Sequence, residues 1–217
     1  QRGGPSTGLP TRTQQGDLSF AYRLSHGDTQ HVILLPANPT ECFEWGQTCF
    51  DLAERLQTLV IVLSDLDLGM NLWVIDELPY PVRPFDRGKV LTTADLEKIE
   101  EFARYRDTDG DHIPWRTLPG TDHPKAAYFT RGTGHNEKAQ YSEDPQVYAR
   151  LLDRLKKKHD TAKKYVPKPI IDTHDQAQVG LIAYGSTDFA VGEIRHLLQQ
   201  VNVPTAYLRL RALPFTP

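Results

Sequence analysis

Chemistry in this sequence gathers in two glycine-bracketed loops. The first is Arg2-Gly3-Gly4-Pro5-Ser6-Thr7-Gly8-Leu9-Pro10-Thr11, which combines one fixed positive charge, three glycines, two prolines and three hydroxyls. Glycines let a backbone approach a ligand closely, and successive main-chain N–H groups in such a turn form an anion-binding concavity. Arg2 adds a planar fork suited to a carboxylate or phosphate, and Thr11 adds a hydroxyl at the far end. A surface connector draws on the same turn residues, but the density of polar ligand groups tilts the reading towards a site. The second loop is Arg131-Gly132-Thr133-Gly134-His135-Asn136-Glu137. Its glycines again suggest close backbone approach, and His135 is of the residue type suited to acid–base work near neutral pH. Taken alone, this loop reads slightly more readily as structural than as catalytic.

Two further clusters carry charge. Arg106-Asp107-Thr108-Asp109-Gly110-Asp111-His112-Ile113-Pro114 is built like the start of a calcium loop, but glycine falls at the fourth position instead of the sixth. The twelfth position is Leu118, with no bidentate glutamate. An aspartate-stabilised turn is the better reading, with a structural cation on Asp107, Asp109 and Asp111 as the alternative. Leu155-Lys156-Lys157-Lys158-His159 with Lys163 and Lys164 is a basic helical stretch. It is expected to be a solvated face, with an anionic partner such as coenzyme A or an acidic protein as the lesser reading. There is no Ser–His–Asp order, nucleophile elbow or complete dinucleotide fingerprint, and no catalytic residue or metal ligand is assigned.

The elements that must position these loops read as α/β. Residues 14–25 suggest a short helix with Leu18, Ala21, Tyr22 and Leu24 on its apolar side, ended by Gly27. His31-Val32-Ile33-Leu34-Leu35 is a continuous apolar run, typical of a strand buried on both faces. After the Pro36–Thr40 loop, with Thr40 as N-cap, a helix over 41–56 carries Phe43, Phe50, Ala53 and Leu56. Thr58-Leu59-Val60-Ile61-Val62-Leu63 is a second buried strand, and strand–helix–strand with short loops implies a parallel sheet. Residues 65–169 are punctuated by prolines, with helices near 93–103 and 144–164, and form a loop-rich connecting region. A second α/β block follows, with a strand over 179–185, a helix over 187–200 and a strand over 204–210.

Composition narrows the functional classes. A net charge of −3 gives no global attraction to nucleic acid or acidic membranes, and no apolar run approaches the roughly 18 residues of a membrane span. Cys42 and Cys49 stand seven apart in the predicted helix, about 10 Å by helix geometry, which is too far for a disulfide. Buried reduced thiols fit a cytoplasmic protein, and two cysteines are too few for an iron–sulfur cluster in this chain. The only methionine is Met70, and the last residues read as a strand running into a loop. The chain is therefore expected to be a piece of a longer protein that lacks both ends.

Together these segments resemble the α subunit of the 2-oxoacid:ferredoxin oxidoreductases, especially the 2-oxoglutarate-type enzymes. The resemblance rests on the opening decapeptide, Gln15-Gly16-Asp17-Leu18, His26-Gly27, Glu41-Cys42-Phe43, Asp107–Asp111 with Ile113-Pro114, Arg116–Gly120 and Thr130–His135, in the family's order. It implies a thiamine-diphosphate enzyme that oxidatively decarboxylates a 2-oxoacid, transfers the acyl group to coenzyme A, and passes electrons through iron–sulfur centres to ferredoxin. It also implies that residues 1–64 are the second half of a pyrimidine-binding domain and that 170–217 begin a transketolase-C-terminal-like domain. Thiamine diphosphate, magnesium and the cluster would sit mainly on a partner β subunit, so this piece alone would not turn over. Arg2 matches the arginine that grips the 2-oxoacid and Thr11 the threonine closing that loop, while His135 and Asn136 would frame the substrate side chain. The family often carries aspartate where Asn136 stands. Two rival readings remain: a non-catalytic assembly scaffold with a transketolase-like fold, and a cation-dependent interaction module built on the Asp107–Asp111 turn.

Overall fold

The structure, a computed structural model, describes residues 16–27, 30–78, 80, 84–129 and 132–215. These fall into two compact units. Described residues up to 53, with 58–85 and those from 163 onward, form the first; residues 54–57 and 86–162 form the second.

The first unit is built on β1 (Val32–Leu34), whose residues are all fully buried. As the continuous apolar run implies, it is the central strand of its sheet. It pairs in parallel with β2 (Val60–Val62), matching Ile33 to Ile61, through the crossover helix α2 (Pro39–Leu56). On its other edge it pairs antiparallel with β6 (Ala212–Leu213). A second sheet has the order β3-β5-β4: β4 (Val179–Ala183) runs parallel to β5 (Thr205–Arg209), and β3 (Ile170–Asp172) runs antiparallel to it. Helix α6 (Thr187–Gln200) connects β4 to β5 over the expected span. The fold is thus α/β with both expected parallel pairs, each sheet also carrying one antiparallel strand.

Several local expectations are corrected. Helix α1 covers Gly16–Tyr22, so it stops well before Gly27, and Leu24 is exposed. The N-cap of α2 is Asn38, not Thr40: the Asn38 side chain accepts the Glu41 N–H at 2.9 Å, and Pro39 takes the first helical position, where its missing N–H costs nothing. The buried stripe of α2 is Trp45, Leu52 and Leu56, whereas Phe50 is 66% exposed. Five residues past Trp45, Phe50 lies roughly 140° round the axis and off that stripe. Strand β2 is half-buried to exposed instead of buried, because among the described residues it is an edge strand paired only with β1.

One extended stretch serves both sheets. After β5, the Leu210 N–H donates to the Ala183 carbonyl at 2.8 Å, and the next carbonyl, of Arg211, accepts the Leu35 N–H at 2.8 Å. Leu210 packs with Ala21, Ile33 and Leu35. Where the stretch changes sheets, the Arg209 guanidinium meets both oxygens of Glu41 and, through Nη1, Asp188 Oδ2 at 2.9 Å. Arg211 adds a 3.1 Å bond to Glu41 and lies over the Trp45 ring, while the second Glu41 oxygen accepts the Ala37 N–H at 2.9 Å. The Arg209 and Glu41 side chains are only 6% and 11% exposed. Burial, then the Asp188 carboxylate that accepts the Tyr207 hydroxyl at 2.6 Å, hold that phenol protonated well above its usual range. A second tie is Asp65, which caps α3 (Leu66–Met70) at Leu68 and also accepts the Ser186 N–H at 2.9 Å. Although burial pushes its pKa up, these donors outweigh it and hold the carboxyl below the usual range. Gly185 sits against this carboxylate at φ +64°, where a side chain would be strained and crowded.

The second unit has little regular structure. Helix α4 (Thr93–Lys98) opens with a Thr92–Asp95 capping box and ends at Ile99, earlier than expected; the Lys125 ammonium takes the Ile99 carbonyl at 2.6 Å. Helix α5 covers Pro145–Ala162. Gln57 is the hub: its amide donates to the Pro114 carbonyl, its side-chain oxygen accepts Arg104, and its own carbonyl accepts Lys158. Ion pairs Arg55–Asp86 and Arg116–Glu54 bind the same turn to the segments that follow.

Removing one member of a buried pair strands the other charge, so Arg209→Met is expected to lower stability by about 3–5 kcal/mol. The double variant Arg209→Met/Glu41→Gln is expected to lose less than the sum of the single changes, which a denaturant double-mutant cycle would measure.

Candidate functional site

Arg2 and Thr11 lie outside the described residues, as does Arg131. The structure does place His135 and Asn136. They open a tight turn in which the Asn136 N–H donates to the Gln140 carbonyl at 2.9 Å, and the Ser142 N–H donates to the Gly134 carbonyl at 3.1 Å. Gly134 is needed because a Cβ there would stand 2.6 Å from the Ser142 carbonyl oxygen. The close approach inferred from the sequence is therefore to the chain's own backbone.

The two side chains have different circumstances. The Asn136 carbonyl oxygen accepts the N–H groups of Lys138 and Gln140, and its amide donates to Gln140 Oε1 at 3.0 Å. An aspartate could accept the same two bonds but could not donate the third. His135 is 8% exposed and stacks on Tyr105 with ring centroids 4.1 Å apart. Its Nδ1 is buried without a hydrogen-bond partner. Both residues line a cavity of about 420 Å³, with Tyr105, Arg106, Asp107 and His112 on the loop side and Val147 to Lys157 of α5 opposite.

The basic stretch on α5 is not all solvated. Leu151, Leu155 and Ala162 mark the inward face of the helix by their spacing, and Lys158, seven residues after Leu151, shares it. Its ammonium donates to the Gln57 carbonyl at 2.9 Å. Burial, reinforced by Arg154 and Arg104, pushes its pKa down to about 8. Arg154 is lowered as well, first by burial and then by Arg104. Arg104 bonds Gln57 through Nη2 at 2.6 Å, but its Nε and Nη1 are buried without partners. Neither Arg104 nor the inward place of Lys158 was expected from the sequence; helical phase was the available signal for Lys158.

The acidic turn has its own cation. The Lys89 ammonium lies 2.7 Å from Asp109 Oδ2 and 2.6 Å from Asp111 Oδ1, and also bonds the Ile113 carbonyl at 2.9 Å. Asp107 accepts the Gly110 N–H and pairs with His112 Nδ1 at 2.8 Å. Although burial opposes it, the two aspartates raise the Lys89 pKa. The arrangement is a turn stapled by an ammonium. Among the described residues no group of three or more His, Cys, Asp or Glu is assembled to hold a metal ion. Cys42 and Cys49 are free thiols, half-buried instead of buried, and burial raises the pKa of both. No helix among the described residues is long and apolar enough to cross a membrane.

Residues 1–105 match the family model described as pyruvate flavodoxin/ferredoxin oxidoreductase, thiamine diP-binding. The whole chain is 32% identical to 2-oxoacid:ferredoxin oxidoreductase 1, subunit alpha, of Aeropyrum pernix, and spans 33% of that protein. It is 27% identical, over 97% of its length, to the 2-oxoglutarate synthase subunit KorA of Methanothermobacter marburgensis, of which it spans 54%. Among solved structures it is similar to the 2-oxoglutarate:ferredoxin oxidoreductase from Magnetococcus marinus, determined with 2-oxoglutarate, coenzyme A and succinyl-CoA bound. That likeness has a TM-score of 0.80 at 27% identity, over 100% of this chain and 37% of that one.

The Lys158 amine gives a signed pH test. Below about pH 8 it is charged in both folded and unfolded protein, and the folded state carries the penalty. Between about 8 and its ordinary 10.5 only the unfolded chain keeps the proton, so stability rises with pH across that window. Lys158→Met is expected to flatten this rise, read from urea midpoints across about pH 7–10. At the acidic turn, calcium or a chelator is expected to leave the melting temperature unmoved. Lys89→Met, which strands Asp109 and Asp111, is expected to cost about 2 kcal/mol in thermal or urea unfolding.

Proposed function

From a chain homologous over its whole length to the α subunits of 2-oxoacid:ferredoxin oxidoreductases, we propose that it shapes the 2-oxoacid end of a shared thiamine-diphosphate site. The observation that carries this reading is that the likeness is continuous along the chain and includes the opening decapeptide. The substrate is a 2-oxoacid of the 2-oxoglutarate type, in keeping with the names of several relatives. The working enzyme is a cytoplasmic complex with a β subunit, coenzyme A and ferredoxin. Magnesium, the diphosphate and the iron–sulfur cluster belong to the partner in this reading. Residues 1–64 and 170–217 are then parts of two thiamine-enzyme domains joined by residues 65–169.

When bound, the thiamine group supplies the carbon that the 2-oxo carbon joins and the sink for the electrons left by decarboxylation. This chain's part is to hold the substrate. The Arg2 guanidinium takes the carboxylate bidentately and fixes its direction without donating a proton, and the Thr11 hydroxyl closes the same loop. A poorly solvated site then favours loss of the carboxylate as neutral CO₂. His135, buried at its turn with Nδ1 unpartnered, and Asn136 are assigned to the substrate side chain in the same reading.

Arg2→Lys in the assembled enzyme keeps the charge and loses the fork. It is expected to lower kcat/KM by about 10- to 100-fold in a ferredoxin-coupled assay, with an unchanged melting temperature. Unaltered kinetics would remove Arg2 from the site and favour a scaffold role.

A further inference from the structure

The cavity beside α5 gathers positive charge that a carboxylate grip at Arg2 does not use. Val147, Arg150, Leu151, Arg154 and Lys157 line it from the helix, at spacings of three, four and seven that place them on one face. The lining carboxylates are largely spoken for. Glu137 pairs with Arg106 at 2.7 Å, and Asp107 is held by His112 and the Gly110 N–H. Asp153, exposed on α5, is the remaining one. Among the described residues Arg150 and Lys157 form no ion pair, and Arg154 gives one N–H to the His112 carbonyl at 3.1 Å. Behind Arg154 stand Arg104, with two buried nitrogens unpartnered, and Lys158, bonded only to a neutral carbonyl. Opposite the cations is an aromatic wall, the stacked Tyr105–His135 pair, with His135 Nδ1 buried and free.

We propose that this cavity binds a phosphate-bearing small molecule, with Arg150, Arg154 and Lys157 taking the anion and the Tyr105–His135 wall receiving the group that carries it. Three cations on one helix face match the three terminal oxygens of a phosphate, and guanidinium forks bind them bidentately. A volume of about 420 Å³ is that of a small-molecule site, with an apolar side and a few convergent polar groups. An anion here would also relieve the mutual repulsion of Arg104, Arg154 and Lys158, which Asp107 offsets only in part at Arg154. The proposal shares His135 with the proposed function but takes its anion with Arg150, Arg154 and Lys157, and uses neither Arg2 nor Thr11.

Isothermal titration of the assembled protein at low ionic strength, with inorganic pyrophosphate and with phenyl phosphate, tests it. Saturable binding of one ligand per chain is expected, weakened at least tenfold in Arg150→Gln/Lys157→Gln. Both side chains are exposed, so this variant is expected to melt like the parent. Arg154→Gln is expected to weaken binding further, though it also loses the His112 carbonyl bond, so the exposed pair is the decisive variant. Tighter binding of phenyl phosphate would identify an aryl or nucleoside ester as the ligand class; equal or tighter binding of pyrophosphate would identify the phosphate itself. Absence of saturable binding of either, or binding untouched by the double change, would overturn the proposal. Arg2→Lys is expected to leave phosphate binding unchanged, which keeps this result separate from the fate of the carboxylate grip.

Discussion

Arg209 and Glu41 meet where one extended stretch leaves one sheet and enters another, and the first unit depends on that meeting. Glu41 sits in the first turn of α2, after the central strand β1; Arg209 ends β5, and Asp188 opens α6. Arg209 and Glu41 are withdrawn from water and each would be costly alone, so the three elements are favourable only in the arrangement that brings the charges together. Such a network adds less to net stability than an apolar core of equal volume would. Its contribution is to penalise every arrangement in which one member is left unpaired. The backbone carries the same instruction, since consecutive residues Leu210 and Arg211 bond Ala183 and Leu35.

The second unit solves a different problem, how to fix a long irregular chain with few ladders. It does so with long polar side chains that reach backbone carbonyls and amides. Gln57 collects three such bonds in one turn, and Lys125 closes α4. Backbone groups left over by irregular structure need partners wherever water is excluded, and Lys, Arg and Gln can span the gaps. The accompanying cost is mutual repulsion among Arg104, Arg154 and Lys158, only partly offset by Asp107.

What the sequence revealed follows the range of the interactions concerned. The apolar run of β1 and the bounds of α6 were legible because local pattern determines them. The Asn38 cap was also present locally, in Asn-Pro-Thr-Glu, but Thr40 offers a competing hydroxyl two residues on. The exposure of β2 was not legible, because an edge strand and a central one can share the same residues. Nor was the partner of Asp109 and Asp111, since Lys89 lies some twenty residues upstream and no local rule links them. Of the candidate site, His135 was singled out by its glycine bracket, whereas the cations facing it came from the phase of α5.

The staple at that acidic turn has one more consequence. A calcium loop borrows its cation from solution, so its shape follows the concentration of a solute and the rate at which the ion leaves. Lys89 is covalently part of the chain and cannot diffuse away. The turn therefore has a fixed stoichiometry and no dissociation step, and its geometry is inherited with the polypeptide instead of being set by the medium around it.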